Sequence, residues 1–251
     1  MDKLMIHDIR KEFFNLDLAD YQLTFDDGLY SQYYYFSLFE PNHTPRIFFI
    51  ITGLIQQGKA RKVFDGQYLP HIKSRKYMHE AFVEKKFDQF MRLEELKIIA
   101  DQKEVILGAH SHYHDIVLTE HRLKKKLSQW KFERFPCPLQ NKDGFPFNRR
   151  SRLAYQGFSY SGGNLVKRSE TEWLDYIKYD TESCLGWFEK YLGFQPSKYC
   201  FPFNEYTDVL IKVLKCYGFT QFYNGSSGDN KEIFSRIDID NLVEYSKAGK
   251  Q

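Results

Sequence analysis

The chain has 251 residues, a length that suits one α/β barrel, and we predict a single domain over residues 1–251. Its formal net charge of +3 is too small for the basic surface of a nucleic-acid-binding protein. The longest apolar run, at 47–55, is much shorter than the ~20 residues that cross a bilayer. No signal-peptide-like apolar block follows Met1, and the four cysteines form no CxxC pair, so we expect a cytoplasmic protein with reduced thiols.

In chain order, the sequence alternates short apolar strands with amphipathic helices. The predicted strands lie at 21–25, 46–52, 105–109, 197–201, 219–223 and 233–239. The predicted helices lie at 31–39, 82–100, 170–191 and 208–217; the third begins with a capping box at Ser169 and ends at Gly193. Apolar strands separated by helices indicate a parallel sheet covered on both faces.

A basic insertion interrupts this alternation at about 119–168. From His121 to Arg152, ten lysines and arginines stand against two acids, and few periodic signals occur. One interpretation is a solvated insertion. The other is a lid whose arginines, including Arg149 and Arg150, cover an anionic substrate.

Two polar runs carry the candidate chemistry. One is TFDDG at 24–28, after the first predicted strand, and the other is HSHYH at 110–114, after the third. Adjacent carboxylates offer a metal ligand and a base, and two histidines four residues apart offer two nitrogen ligands. Each run alone has an ordinary alternative, a tight Asp-Gly turn or an exposed helical turn. Together, after two strands of one barrel, they predict a hydrolytic metal site.

The motifs and their spacing resemble the polysaccharide deacetylase family over most of the chain. That family's T-F-D-D-G motif is present unaltered, and its H-[ST]-x-x-H motif is present from His110 to His114. Pro202, Phe203 and Asn204 resemble the family's third motif and are the implied substrate contacts. The resemblance implies a distorted (β/α)7-type barrel that removes an N-acetyl or other N-acyl group from a sugar. The chain is also similar to deacetylase-like proteins of bacterial O-antigen and surface-polysaccharide gene sets.

The resemblance implies a role for each matching residue. The family's general base matches Asp26, and its metal-binding ligands match Asp27, His110 and His114. One divalent metal is implied, usually zinc and sometimes cobalt, nickel or manganese. Three protein ligands leave room for a water, whose pKa falls to ~7 on such a metal, and for the amide carbonyl.

The residue that holds the base differs from the family pattern. The family has an arginine where this chain has Cys200. Without that cation, the pKa of Asp26 would be less depressed. The candidates to replace the arginine are Arg46, Arg149, Arg150 and Arg168.

The general acid is a second departure. The family's acid is a histidine near the last strand, but no histidine follows His121 in this chain. Asp238 stands near the corresponding place and is the candidate acid, with His112 or water as alternatives. The family's Asp-Trp motif also has no match in 220–231.

The substrate and the activity itself stay open at this stage. We expect an N-acylated sugar, possible forms being a nucleotide-linked or a lipid-pyrophosphate-linked precursor. The missing acid and arginine leave a second interpretation, a catalytically impaired deacetylase-like protein that binds metal and glycan without turnover. A third is a metal-free structural protein of a glycan-assembly complex.

Overall fold

A computed structural model describes residues 1–39, 44–120, 129–138, 147–226 and 232–248, with side chains described through residue 245. The strands within these ranges are β1 Lys3–Ile6, β2 Gln22–Phe25, β3 Arg46–Ile50, β4 Val105–Ala109, β5 Ile116–Thr119, β6 Asn148–Ser151, β7 Phe158–Ser161, β8 Asn164–Lys167, β9 Lys198–Cys200, β10 Gln221–Tyr223, β11 Ile233–Phe234 and β12 Ile237–Asp238. The α-helices are α1 Tyr30–Tyr34, α2 Ser74–Phe82, α3 Leu93–Ala100, α4 Gln129–Arg134, α5 Glu170–Leu192, α6 Asp208–Cys216 and α7 Ile239–Ala248. No helix in the described ranges combines the length and apolar character needed to span a bilayer.

Eight strands form one parallel sheet in the order β11-β10-β9-β4-β3-β2-β1-β12. Every residue of β3 is buried, as expected for a strand with both faces covered. The curled sheet and the helices around it form a half-barrel, which confirms the predicted distorted (β/α) barrel. β1, which the sequence did not predict, is inserted between β2 and β12.

The sheet register brings several strand ends to one edge. Ile6 of β1 pairs with Phe25 of β2, and Ala109 of β4 pairs with both Ile50 and Tyr199. Parallel strands end on the same side, so the residues after β1, β2, β4 and β9 face a common space.

The predicted basic insertion contains a second sheet, antiparallel, in the order β6-β5-β7-β8. In β6 the buried positions are Arg149 and Ser151, which are polar, so the strand lacks the apolar alternation by which strands are recognised. Residues 121–128 and 139–146 of this stretch lie outside the described residues.

The continuous helix predicted at 82–100 is wrong over 83–92 and correct over α3. The structure has two helices, α2 and α3, and the chain between them turns back onto the TFDDG loop. Met91 donates its backbone N–H to the carbonyl of Gly28 at 2.8 Å, and Tyr30 donates to Gln89 at 2.7 Å. Because these backbone groups pair across the loop, the half-buried ring of Phe87 and the buried ring of Phe90 belong to a non-helical segment, and their helix-like spacing is misleading.

Two other predictions need correction at their ends. The helix at 31–39 is α1 followed by a 3-10 turn, Phe36–Leu38. The strand at 233–239 is two short strands, and the helix α7 begins at Ile239. In contrast, the third helix begins and ends as predicted, with the Ser169 capping box and Gly193 at a φ of 75°.

Candidate functional site

A cavity of about 230 Å³, referred to below as the catalytic cavity, lies at the carboxyl ends of the parallel strands. Both predicted motifs line it, through Asp26 and Asp27 after β2 and through His110 and His114 after β4. Phe203 of the third motif completes one wall. The two polar runs, 82 residues apart in sequence, therefore meet in space as predicted.

The three predicted metal ligands lie close enough to share one ion. One potential ligand atom each from Asp27, His110 and His114 lies within 4.8 Å of the others. Nε2 of His110 is 3.4 Å from Oδ1 of Asp27. All three side chains are buried.

The hydrogen bonds around these side chains leave metal-binding atoms available. Nδ1 of His110 donates to the carbonyl of Cys200 at 2.9 Å, which directs the Nε2 lone pair toward Asp27. The Tyr77 hydroxyl donates to Oδ2 of Asp27 at 2.8 Å and leaves Oδ1 available. Nδ1 of His114 is buried and has no hydrogen-bond partner among the described residues. One carboxylate and two imidazoles, one of which has an unsatisfied ring nitrogen, fit a divalent metal such as zinc.

Backbone strain is concentrated at this site. Six non-glycine residues in the described ranges have positive φ, and five of them belong to the three motifs. Asp27 has a φ of 74°, Ser111 of 66° and His114 of 46°. In the third motif, Phe203 has 62° and Asn204 has 56°. Such conformations cost energy in residues other than glycine, and their clustering is typical of a functional site.

Arg236 holds the candidate base. Its Nη1 and Nη2 lie 2.6 and 2.8 Å from the two carboxylate oxygens of Asp26. Nη2 also lies 3.0 Å from Sγ of Cys200, the residue at the place of the family's arginine. Burial alone would raise the pKa of Asp26, but the charge and hydrogen bonds of Arg236 outweigh it and lower that pKa. The carboxylate therefore stays ionised.

The four arginines considered from the sequence are engaged elsewhere. Arg46 pairs with Glu104, and Arg150 pairs with Glu205. Arg149 donates to the carbonyl of Phe135, and Arg168 donates to that of Gln156. None of these four arginines lines the catalytic cavity. The sequence contained only a weak indication of Arg236, which lies two residues before the candidate acid Asp238.

His7 is a site residue that the sequence did not identify. It follows β1, and its Nε2 lies 4.0 Å from Oδ2 of Asp26. The side chain is 35% exposed and lines the catalytic cavity. β1 pairs with β12, with Leu4 opposite Ile237, so His7 lies next to the strand on which an acid was expected. The apolar run before His7, which forms β1, is the sequence feature that could have indicated this residue.

Asp238, the acid considered from the sequence, lies in an adjoining cavity of about 480 Å³ that His7 also lines. Oδ1 of Asp238 accepts the backbone N–H of Asp240 at 3.0 Å, at the start of α7. Among the substrate contacts considered, Phe203 and Asn204 line the catalytic cavity, whereas Pro202 is buried beside it.

The histidine loop is held by α5. Asp180 of α5 is buried and accepts the backbone N–H groups of His112 at 3.1 Å and Tyr113 at 2.9 Å. Burial raises the pKa of Asp180 to about 6. The ring of His112, considered from the sequence as an alternative acid, bonds Thr52 at 2.8 Å and does not line the cavity. Asp115 pairs with basic side chains, not with a ligating histidine.

Comparison with known proteins gives matches at the level of structure. No family model and no curated protein matches the chain. A de-N-acetylase from Aggregatibacter actinomycetemcomitans superposes with a TM-score of 0.57 at 13% identity, over 94% of each chain. IcaB from Ammonifex degensii gives 0.56 at 14% identity, over 98% of this chain and 95% of that chain. BC0361, a polysaccharide deacetylase from Bacillus cereus, gives 0.52 at 12% identity, over 100% of this chain and 68% of that chain. The chain therefore has the fold of the polysaccharide deacetylases.

Proposed function

We propose that the chain is a metal-dependent hydrolase that removes an N-acetyl or other N-acyl group from a sugar. The observation that carries this proposal is one cavity in which Asp27, His110 and His114 can share an ion beside the clamped carboxylate of Asp26. Structural neighbours described as a de-N-acetylase and a polysaccharide deacetylase support the same reaction class. A role in bacterial O-antigen or surface-polysaccharide synthesis rests on the sequence resemblance alone.

Asp27, His110 and His114 would hold the metal, and zinc suits their mixture of imidazole and carboxylate best. When bound, a divalent ion would polarise the acyl carbonyl and lower the pKa of a water molecule. Tyr77 and the carbonyl of Cys200 keep two of the ligands oriented for this task.

Asp26 takes a proton from the attacking water. Its carboxylate is fixed on both oxygens by Arg236, so it is ionised and correctly oriented before substrate arrives. Arg236 therefore takes the role of the family's missing arginine from the segment between β11 and β12.

His7 supplies the proton that the leaving amine needs. An amine is a poor leaving group unless it is protonated as the C–N bond breaks. His7 lines the catalytic cavity beside Asp26, whereas Asp238 is engaged at the start of α7. The interpretation as an inactive glycan-binding protein rested on the two missing groups, and Arg236 and His7 offer replacements for both.

Acetate release tests the proposal and the assignment of the acid together. Zinc-loaded protein should release acetate from N-acetylhexosamine oligomers, and Asp26→Asn should lower kcat by ~100-fold or more while zinc stays bound. His7→Gln should lower kcat comparably. Asp238→Asn should stay within about twofold, because asparagine also caps helices well.

A substrate with a better leaving group separates a proton donor from a structural residue. With an aryl ester of acetate, His7→Gln should lose much less activity than with the amide, because an aryloxide leaves without protonation. Equal losses on both substrates would remove His7 as the acid. Folded, zinc-loaded protein that binds N-acetylated sugars but releases no acetate would contradict the hydrolase proposal.

A further inference from the structure

A lysine in the wall of the catalytic cavity has no anionic partner among the described residues. Lys131 belongs to α4 and lines the same cavity as Asp26 and the metal ligands. Its Nζ lies 3.9 Å from the centroid of the Phe203 ring and 5.7 Å from that of Trp130. The ammonium therefore sits among aromatic rings.

No carboxylate in the described ranges forms an ion pair with Lys131. Glu205 is the acid that acts on Lys131, but its oxygens accept from Nε of Arg150 at 2.6 Å and from the backbone N–H of Ser151 at 2.8 Å. Asp26 is already neutralised by Arg236. Burial lowers the pKa of Lys131 to about 8, and the distant charge of Glu205 does not restore it.

The free-energy cost of burying the Lys131 ammonium favours binding of an anion beside it. A largely buried ammonium is costly unless a charge or hydrogen bonds compensate for its lost hydration, and aromatic faces offset only part of that cost. A bound oxyanion would complete the site, since hydrogen bonds between opposite charges are shorter and stronger than neutral ones.

The position of Lys131 says where on the substrate such a group belongs. The Phe203 ring contacts Lys131 and lies 4.3 Å, between centroids, from the ring of His114. The ammonium and a candidate metal ligand therefore contact the same aromatic ring. An anion bound there would sit on the sugar that loses its acyl group or on its immediate neighbour.

We infer that Lys131 binds an oxyanion substituent, so that the substrate is an N-acylated sugar bearing a phosphoryl or carboxylate group on or next to the reacting ring. This inference rests on the proposed function for the identity of the sugar. A neutral sugar would leave the ammonium unpaired, so Lys131 discriminates in favour of charged substrates.

Calorimetric binding to zinc-loaded protein tests the inference without relying on turnover. The probes are N-acetylglucosamine, N-acetylglucosamine 1-phosphate and an N-acetylhexosaminuronic acid. The parent should bind at least one anionic probe about tenfold or more tighter than the neutral sugar, and which one it prefers separates phosphoryl from carboxylate. Lys131→Met should abolish the difference, whereas Lys131→Arg should keep most of it.

Lys103→Met is the matched control. Lys103 is exposed and lies just before β4, at the end of that strand opposite His110, so its loss should leave the preference intact. Equal binding of all three probes by the parent, or equal weakening of all three by Lys131→Met, would overturn the inference. Lys131-dependent binding without acetate release would support it while contradicting the hydrolase proposal; acetate release by a parent that binds the neutral and anionic probes equally would do the reverse.

Discussion

Arg236 shows how one side chain can take over a role whose usual position is lost. Cys200 occupies the place of the family's arginine, and the guanidinium of Arg236 reaches both the Cys200 sulfur and the Asp26 carboxylate. The base is thus held by a cation 210 residues away in sequence. What the chemistry requires is a charge at that point in space, and this chain supplies it from the segment between β11 and β12.

Removing that charge should reverse the pH dependence of stability. In the parent, the pKa of Asp26 is lowered, so its contribution to stability is present above the unfolded pKa and lost as pH falls through the folded value. Arg236→Met would leave a buried, unpaired carboxylate, at a cost of about 3–5 kcal/mol, with a raised pKa and stability that falls as pH rises. Urea unfolding between pH 4 and 8 measures this.

Arg46→Met is the control for this experiment. Arg46 is also buried and ion-paired, with Glu104, but it does not contact Asp26. It should destabilise the protein without moving the acid limb of the activity profile, whereas Arg236→Met should move that limb to higher pH. The same limb in both variants would contradict the clamp.

The residues that could be predicted are those that form contiguous runs. Asp26, Asp27, His110 and His114 lie in two short motifs, and local spacing was enough to assign them. His7 and the clamp of the base could not be assigned in this way. Each acts through a contact that exists only when distant strands pair, and a single residue in sequence carries no trace of that pairing.

The histidine loop is supported from two sides by neighbouring elements. Asp180 of α5 accepts two of its backbone N–H groups, and Thr52 and Gly53 donate theirs to its carbonyls at 3.2 and 3.1 Å. A β-carbon on Gly53 would lie 2.5 Å from the carbonyl oxygen of His112, so only glycine fits there. The orientation of the candidate metal ligands therefore depends on elements that carry none of these ligands.

Asp180 gives this support a measurable pH dependence. Burial raises its pKa to about 6, so the parent should lose stability as pH rises from the unfolded pKa, ~3.9, through the folded value. Asp180→Asn does not titrate, so relative to the parent it should gain up to about 3 kcal/mol between pH 4 and 7. Unfolding by urea at both pH values measures the difference. An offset between parent and variant that is the same at pH 4 and pH 7 would rule out a buried carboxylate.

Apolar strands and capped helices were predictable because burial and capping leave local patterns. β3, β4 and α5 carry those patterns, and all three occur close to the predicted bounds. The antiparallel sheet of the insertion was missed because β6 buries a charged residue, Arg149. Its guanidinium donates to the carbonyl of Phe135, 14 residues away in sequence. The error at 82–100 has the opposite cause, an apolar pattern produced by contacts with another loop.

The chain's first and last strands are neighbours in the sheet, since β1 lies between β2 and β12. His7 follows the first of these strands, and Arg236 precedes the last. The candidate metal ligands of the cavity therefore follow strands in the middle of the sheet. The proposed acid, His7, and the arginine that holds the base, Arg236, adjoin β1 and β12 at one edge of the sheet. The alternation of strands and helices was enough to predict the fold class. The pairing of β1 with β12 could not be predicted, because the sequence did not indicate β1.

Equilibrium zinc binding by metal-stripped protein tests most directly whether Asp27, His110 and His114 form one metal centre. We expect one ion per chain for the parent, and for each alanine variant of these residues a loss of affinity beyond the ~10–100-fold caused by removing a supporting group. His112→Ala, whose ring bonds Thr52, is the control and should bind zinc like the parent. Zinc binding at full affinity by Asp27→Ala or His114→Ala, or none by the folded parent, would contradict the proposed centre.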